Sequence, residues 1–158
     1  MKKNLLFAAM AVTALASCSN DDVVDVNNGG GISFRASLDR AVTRTNVTSL
    51  QNLAAFNVTA IGDGKNYFTD LGVSSADNGV NWTTASTYYW PGYELAFFAY
   101  APQAPAGTVS IDNASKKITG FSPAQAVADQ KDLVISYNTG TKAVNEGPGV
   151  AMNFKHAL

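Results

Sequence analysis

The chain has 158 residues, 46% hydrophobic and 15% charged, with 13 Gly, 5 Pro, one Cys, one His and a formal net charge of −1 at pH 7. That length accommodates one compact domain with a sizeable core, and near-neutrality excludes a nucleic-acid binder held by a basic face. A single Cys excludes an intramolecular disulfide framework and multi-Cys zinc sites, and a single His excludes paired-His metal centres, so the composition disfavours an enzyme.

In chain order, Lys2 and Lys3 precede eleven apolar or small residues, Leu5 to Leu15. A spanning helix needs roughly 17–25 residues, so this run is a secretory h-region rather than a membrane anchor. It leads into Leu15-Ala16-Ser17-Cys18. Small residues before a cysteine at this position resemble the lipobox of bacterial lipoproteins. The resemblance implies cleavage between Ser17 and Cys18 and lipidation at Cys18, leaving a mature chain with net charge −3. Two or three acyl chains anchor stably where one does not. The alternative is an ordinary signal peptide followed by a free thiol. The polar, acidic and Gly-rich stretch to Gly31 reads as a tether. Its acidic residues after Cys18 resemble the surface-export signal of Bacteroidales lipoproteins, with a plain solvated linker as the alternative.

From Ile32 the period is two: Ile32, Phe34, Ala36 and Leu38 alternate with Ser33, Arg35, Ser37 and Asp39, which predicts a half-buried strand. Further strands are predicted over 53–61, 66–71, 87–90, 94–101, 108–111, 117–121, 133–137 and 150–154. Turn chemistry separates them at Gly62-Asp63-Gly64, Asp77-Asn78-Gly79, Pro91-Gly92, Asp112-Asn113 and Gly147-Pro148-Gly149. Many short strands rich in β-branched and aromatic residues predict an all-β sandwich or barrel. The best helical candidate is 122–129, with Ser122 as N-cap and Pro123 in the first turn. The aromatic block 87–102 reads as a central hairpin turning at Pro91-Gly92, with Trp90, Leu95, Phe97 and Ala99 in the core; the competing reading is an aromatic platform for sugars or bases.

The lipobox at Cys18, the first strand followed by Ala-Val-Thr-Arg-Thr (41–45), Tyr-Tyr-Trp-Pro (88–91), Leu-Ala-Phe-Phe-Ala-Tyr-Ala-Pro (95–102) and the closing Phe-Lys-His-Ala-Leu (154–158) occur in series. In this order they resemble the fimbrillin family of Bacteroidales, lipoproteins that build or decorate surface pili. The resemblance implies a transthyretin-like β-sandwich of about seven or more mostly antiparallel strands, without a cofactor or metal. It also implies a surface-exposed, lipid-anchored location in the outer membrane, and a role in adhesion. On this reading 1–17 is the signal peptide, 18–31 the tether, 32–147 the N-terminal sandwich and 148–158 the start of a second domain. Phe154 and Leu158 are then expected to lack a partner segment.

The resemblance further implies assembly by proteolytic strand exchange with other fimbrial subunits. An Arg-specific cut after Arg40 or Arg44 would release Ile32–Leu38, and a partner's strand would fill the groove. Without a second domain the chain is expected to accept a strand or cap a filament, not to propagate one. The alternative function is a non-polymerising surface lipoprotein that binds a glycan or a host or bacterial surface ligand.

Other residues are set aside on chemistry. His156, beside Lys155 and with no carboxylate at ligand spacing, reads as a strand residue rather than a catalytic base. Asp63, Asp70 and Asp77 lack the calcium-loop pattern and read as turn formers. Asn46, Asn57, Asn81 and Asn113 match the N-glycosylation pattern, which carries little weight in a bacterial lipoprotein. Glu94 and Glu146 are the only two glutamates, so a paired-carboxylate glycosidase would have to use Asp.

Overall fold

A computed structural model describes residues 30–38, 53–105, 107–122, 125–126 and 132–157. The described residues form nine strands and one helical turn: β1 Phe34–Leu38, β2 Ala55–Gly62, β3 Lys65–Ser74, β4 Thr83–Thr84, β5 Leu95–Ala101, β6 Ser110–Asp112, β7 Lys117–Thr119, β8 Val134–Gly140, α1 Lys142–Asn145 and β9 Val150–His156. The expected all-β sandwich is what forms. Seven strands make one curled sheet in the order β1-β9-β8-β5-β2-β3-β4, and β6-β7 form a second, two-stranded sheet. All pairings are antiparallel except β1 with β9, which is parallel.

Local sequence explains the turns. Asp63 and Gly64 both take positive φ, 50° and 70°, the twist a two-residue hairpin between β2 and β3 requires. The β6-β7 hairpin turns where Asp112 accepts the backbone N–H groups of Ala114 and Ser115. Asp77 is a turn residue, as expected: Oδ1 accepts the Ser75 hydroxyl at 2.7 Å and the Asn81 N–H at 2.8 Å, and Oδ2 the Asn81 amide at 2.6 Å. These donors, the Asn81 backbone foremost, lower its pKa to about 2. With the folded value below the unfolded one, this turn's support is complete above about pH 4 and is lost as pH falls through 2. A ¹³C carboxyl titration should place the Asp77 midpoint near 2 and move it up in Ser75→Ala.

Curling lets the two sheet edges share one core. Phe56 on β2 is fully buried and meets Phe34 of β1 at 6.2 Å, Phe154 of β9 at 5.1 Å and Trp82 at 5.0 Å between ring centroids. Phe97 on β5 meets Phe34, Phe68 and Trp90. Trp90, Leu95, Phe97 and Ala99 lie in this core, as the sequence predicts. Phe154 is fully buried against Phe56, contrary to the expectation that it lacks a partner segment, while Leu158 lies outside the described residues. The segment read as the opening of a second domain supplies β9, between β1 and β8 in this sheet.

β2 is buried on both faces, because a second layer covers the outside of the sheet. Gln103 donates to the Phe56 carbonyl at 3.0 Å. Lys116 of the β6-β7 turn lies over the rings of Phe98 and Tyr137, 5.4 and 4.9 Å from their centroids. Beneath this layer the Asn57 amide donates to Tyr100 Oη at 2.9 Å, which donates to Asp70 Oδ1 at 3.1 Å; the Asp70 N–H donates to Thr59 Oγ1 at 3.0 Å. Asp70 is therefore no turn former. It sits in a β3 bulge, opposite Thr59, with φ of 49°.

Two sequence expectations differ from the fold. Residues 87–90 are not a strand hairpinned to β5: Pro91-Gly92 instead lets the chain cross, and Tyr89 forms an isolated bridge to Gly31. The helix expected at 122–129 falls largely outside the described residues.

Candidate functional site

β1 is where sequence pattern and topology meet. Its alternation places Ile32 and Phe34 in the core, each 6% exposed, while Ala36 and Leu38 are half-buried and pack against it. Ser33, Arg35 and Ser37 face outward. All four positions expected to point inward do so. The strand runs parallel to β9, with Phe34 opposite Val150 and Leu38 opposite Phe154. Across this pair the Ser37 hydroxyl donates to Asn153 Oδ1 at 2.6 Å.

The start of the strand is held differently. The Ile32 N–H donates to the Tyr88 carbonyl at 2.7 Å, and the Trp90 N–H to the Gly30 carbonyl at 3.4 Å. On the opposite side, the Val150 N–H donates to the Ser33 carbonyl at 2.8 Å. Gly30 is buried and has φ of 43°; a Cβ there would stand 2.3 Å from Glu146 Oε1. Glu146 belongs to the β8-β9 connection, organised by the buried Asn145. The Asn145 side chain accepts the Thr141 N–H at 3.1 Å and donates to the Gly149 carbonyl at 3.3 Å. Tyr67 fastens the crossing segment from the β3 side, donating its hydroxyl to the Tyr89 carbonyl at 2.6 Å. Residues 88–90 thus connect the β3 and β1 sides of the curled sheet at this end.

Cys18, the Ser17–Cys18 junction, Arg40 and Arg44 lie outside the described residues. His156 is a β9 strand residue, as expected, but its Nδ1 contacts the Asp132 carboxylate, 24 positions away in sequence. Among the described residues, Ser136 Oγ and His156 Nε2 are both buried without a hydrogen-bond partner. Among the described residues no three His, Cys, Asp or Glu side chains converge on a metal-binding position. Of the sequons, Asn57 is 6% exposed and held by Tyr100, which leaves it inaccessible. In the aromatic block only Tyr89, Tyr93 and the intermediate Tyr88 stay outside the core proper, at 52% and 43% exposure for the first two.

Sequence comparison decides the family. The model of the fimbrillin-like family matches residues 40–158. The chain belongs to the fimbrillin-like family. This fimbrillin-like chain thus matches its family from just after β1 onward, and β1 itself precedes the matched span. No curated protein matches the chain. Among solved structures it is similar to a fimbrial protein from Bacteroides ovatus, at 17% identity and a TM-score of 0.45 over 80% of this chain. The match spans 28% of that protein's length. Among the described residues no helix of the fimbrillin-like chain is long and apolar enough to cross a membrane.

The parallel β1-β9 pairing, the bridge to 88–90, the Asn145 connection and the His156–Asp132 contact all escaped sequence reasoning. The β1-β9 pairing, the bridge to 88–90 and the His156–Asp132 contact join residues far apart in the chain, whereas the Asn145 bonds to Thr141 and Gly149 are local but follow no turn motif that the sequence marks.

Proposed function

We propose that this chain is a surface fimbrial subunit in which β1 is the exchangeable strand of subunit assembly. On this reading Cys18 carries the lipid that holds the precursor at the outer membrane, after cleavage between Ser17 and Cys18. Arg40 or Arg44 is the processing point that frees β1, and another subunit's strand takes its place, in a fimbria that serves adhesion. The observation that carries it is the position of β1: among the described residues it is an edge strand, paired in the sheet with β9 alone, and its inward side chains complete the core. Family membership supports the fimbrial role. No step of this function needs catalysis by the chain.

An Arg-specific protease should cut the full chain once, after Arg40 or Arg44, as read by intact mass. Adding a peptide with the sequence of residues 31–38 should then raise the melting temperature of the cut protein. Absence of the cut, or a peptide without effect on stability, overturns strand exchange. For the anchor, labelled-palmitate incorporation should disappear in Cys18→Ala; incorporation that survives the substitution removes Cys18 as the lipid site.

A further inference from the structure

The hydrogen bonds along β1 divide it into two parts. In a strand, the N–H and C=O of successive residues point alternately to the two sides. Gly30 and Ile32 bond to residues 88–90, and Ser33 bonds to β9. Even-numbered residues therefore turn their backbone away from β9, and odd-numbered ones toward it. At Gly30–Ser33 the strand is held on both sides. Beyond Ser33, Arg35 and Ser37 still face β9, but among the described residues no segment pairs with the outward backbone of Phe34, Ala36 and Leu38. Side-chain burial has the same polarity: Ile32 and Phe34 are deeply buried, Ala36 and Leu38 only half-buried. Both gradients make the second half of β1 the weaker end.

We propose that β1 opens from its C-terminal half and that Gly30–Ile32 is a clamp that yields last. The first docking edge for an incoming segment is then Ala151–Phe154 of β9, uncovered as Ala36 and Leu38 lift. Its occupant is an extended segment of another polypeptide running parallel to β9. That segment places a small apolar side chain at the Ala36 position and a larger one at the Leu38 position. The clamp keeps the far end of the core closed during the exchange, because Ile32 and Phe34 leave only after the newcomer is seated. This order rests on the strand-exchange reading; the uneven hold on β1 does not.

Residue-resolved hydrogen exchange on the uncut, isotope-labelled full chain tests the uneven hold directly. The amides of Arg35 and Ser37 should exchange at least about tenfold faster than that of Ile32. A common rate for all three, or a faster rate at Ile32, overturns the proposal. After Arg-specific cutting, pulse labelling during addition of the 31–38 peptide should show the resident Ser37 amide losing protection before that of Ile32. Simultaneous loss, or loss at Ile32 first, also overturns it. A cut protein that admits no peptide defeats the strand-exchange reading, and the gradient in the uncut chain then still decides whether the clamp exists.

Discussion

Phe56→Ala is expected to lower the unfolding free energy by about 3–5 kcal/mol, at the upper end for a core truncation. Phe56 is 0% exposed and its ring touches Phe34, Trp82 and Phe154. Those residues come from one sheet edge, from the approach to the other edge and from β9, so truncation opens a void where three separate parts of the chain converge. A void collapses cheaply only if one wall moves in. Here each wall is held: Phe34 also packs on Phe97, and Phe154 lies on a strand bonded on both sides. Urea unfolding should show a lower midpoint with an unchanged slope. A loss under about 1.5 kcal/mol would mean the core relaxes around the site. An exposed ring such as Tyr137, at 48% exposure, provides the control and should cost far less.

Tyr100→Phe is the second, at about 1–3 kcal/mol, and its cause is polar. The side chain is fully buried, yet its hydroxyl is the central member of the Asn57–Tyr100–Asp70 chain. Removing one oxygen leaves the Asn57 amide without its acceptor and takes a donor from the Asp70 carboxylate. The loss therefore exceeds that of an exposed hydroxyl. The pH dependence supplies a signature that simple loss of packing would not. Burial, joined by the neighbouring Asp70 charge, raises the Tyr100 pKa from 10.0 to about 12. Below pH 10 the hydroxyl is protonated in both folded and unfolded chains, and its contribution is complete. Between 10 and 12 the unfolded chain ionises while the folded one retains its proton, so stability falls with rising pH. Denaturation curves across that window should show the decline in the parent chain and a shallower one in Tyr100→Phe. Equal slopes would place the hydroxyl outside the linkage.

The two buried faces of β2 explain why some of the fold was legible in sequence and some was not. Period-two patterning marked β1, and apolar runs marked β2, β5, β8 and β9, because one face of each must leave water whatever its partners. The Asp63-Gly64 turn was equally legible, since positive φ at both positions favours a short list of residues. Nothing in the sequence marked the polar residues of β2, Asn57 and Thr59, as buried. They are buried because the 103–119 layer closes over Asn57 and Thr59, and only a three-dimensional neighbour reveals that. Residues 87–90 misled for the related reason that aromatic, β-branched composition suits any half-buried extended segment, whether or not it joins a ladder.

At the candidate site the division is as plain. Sequence alone determined which four side chains of the first strand face inward, that the chain builds an all-β sandwich, and which family it resembles. Alternation and turn chemistry are properties of consecutive residues and survive without tertiary context. Only the tertiary structure decided that, among the described residues, the first strand lies at an edge, runs parallel to β9 and is gripped on both sides at Gly30–Ser33 but on one side beyond. Strand order, polarity and edge position depend on hydrogen bonds between residues a hundred or more positions apart, and nothing in the spacing along one strand encodes which backbone will lie beside it.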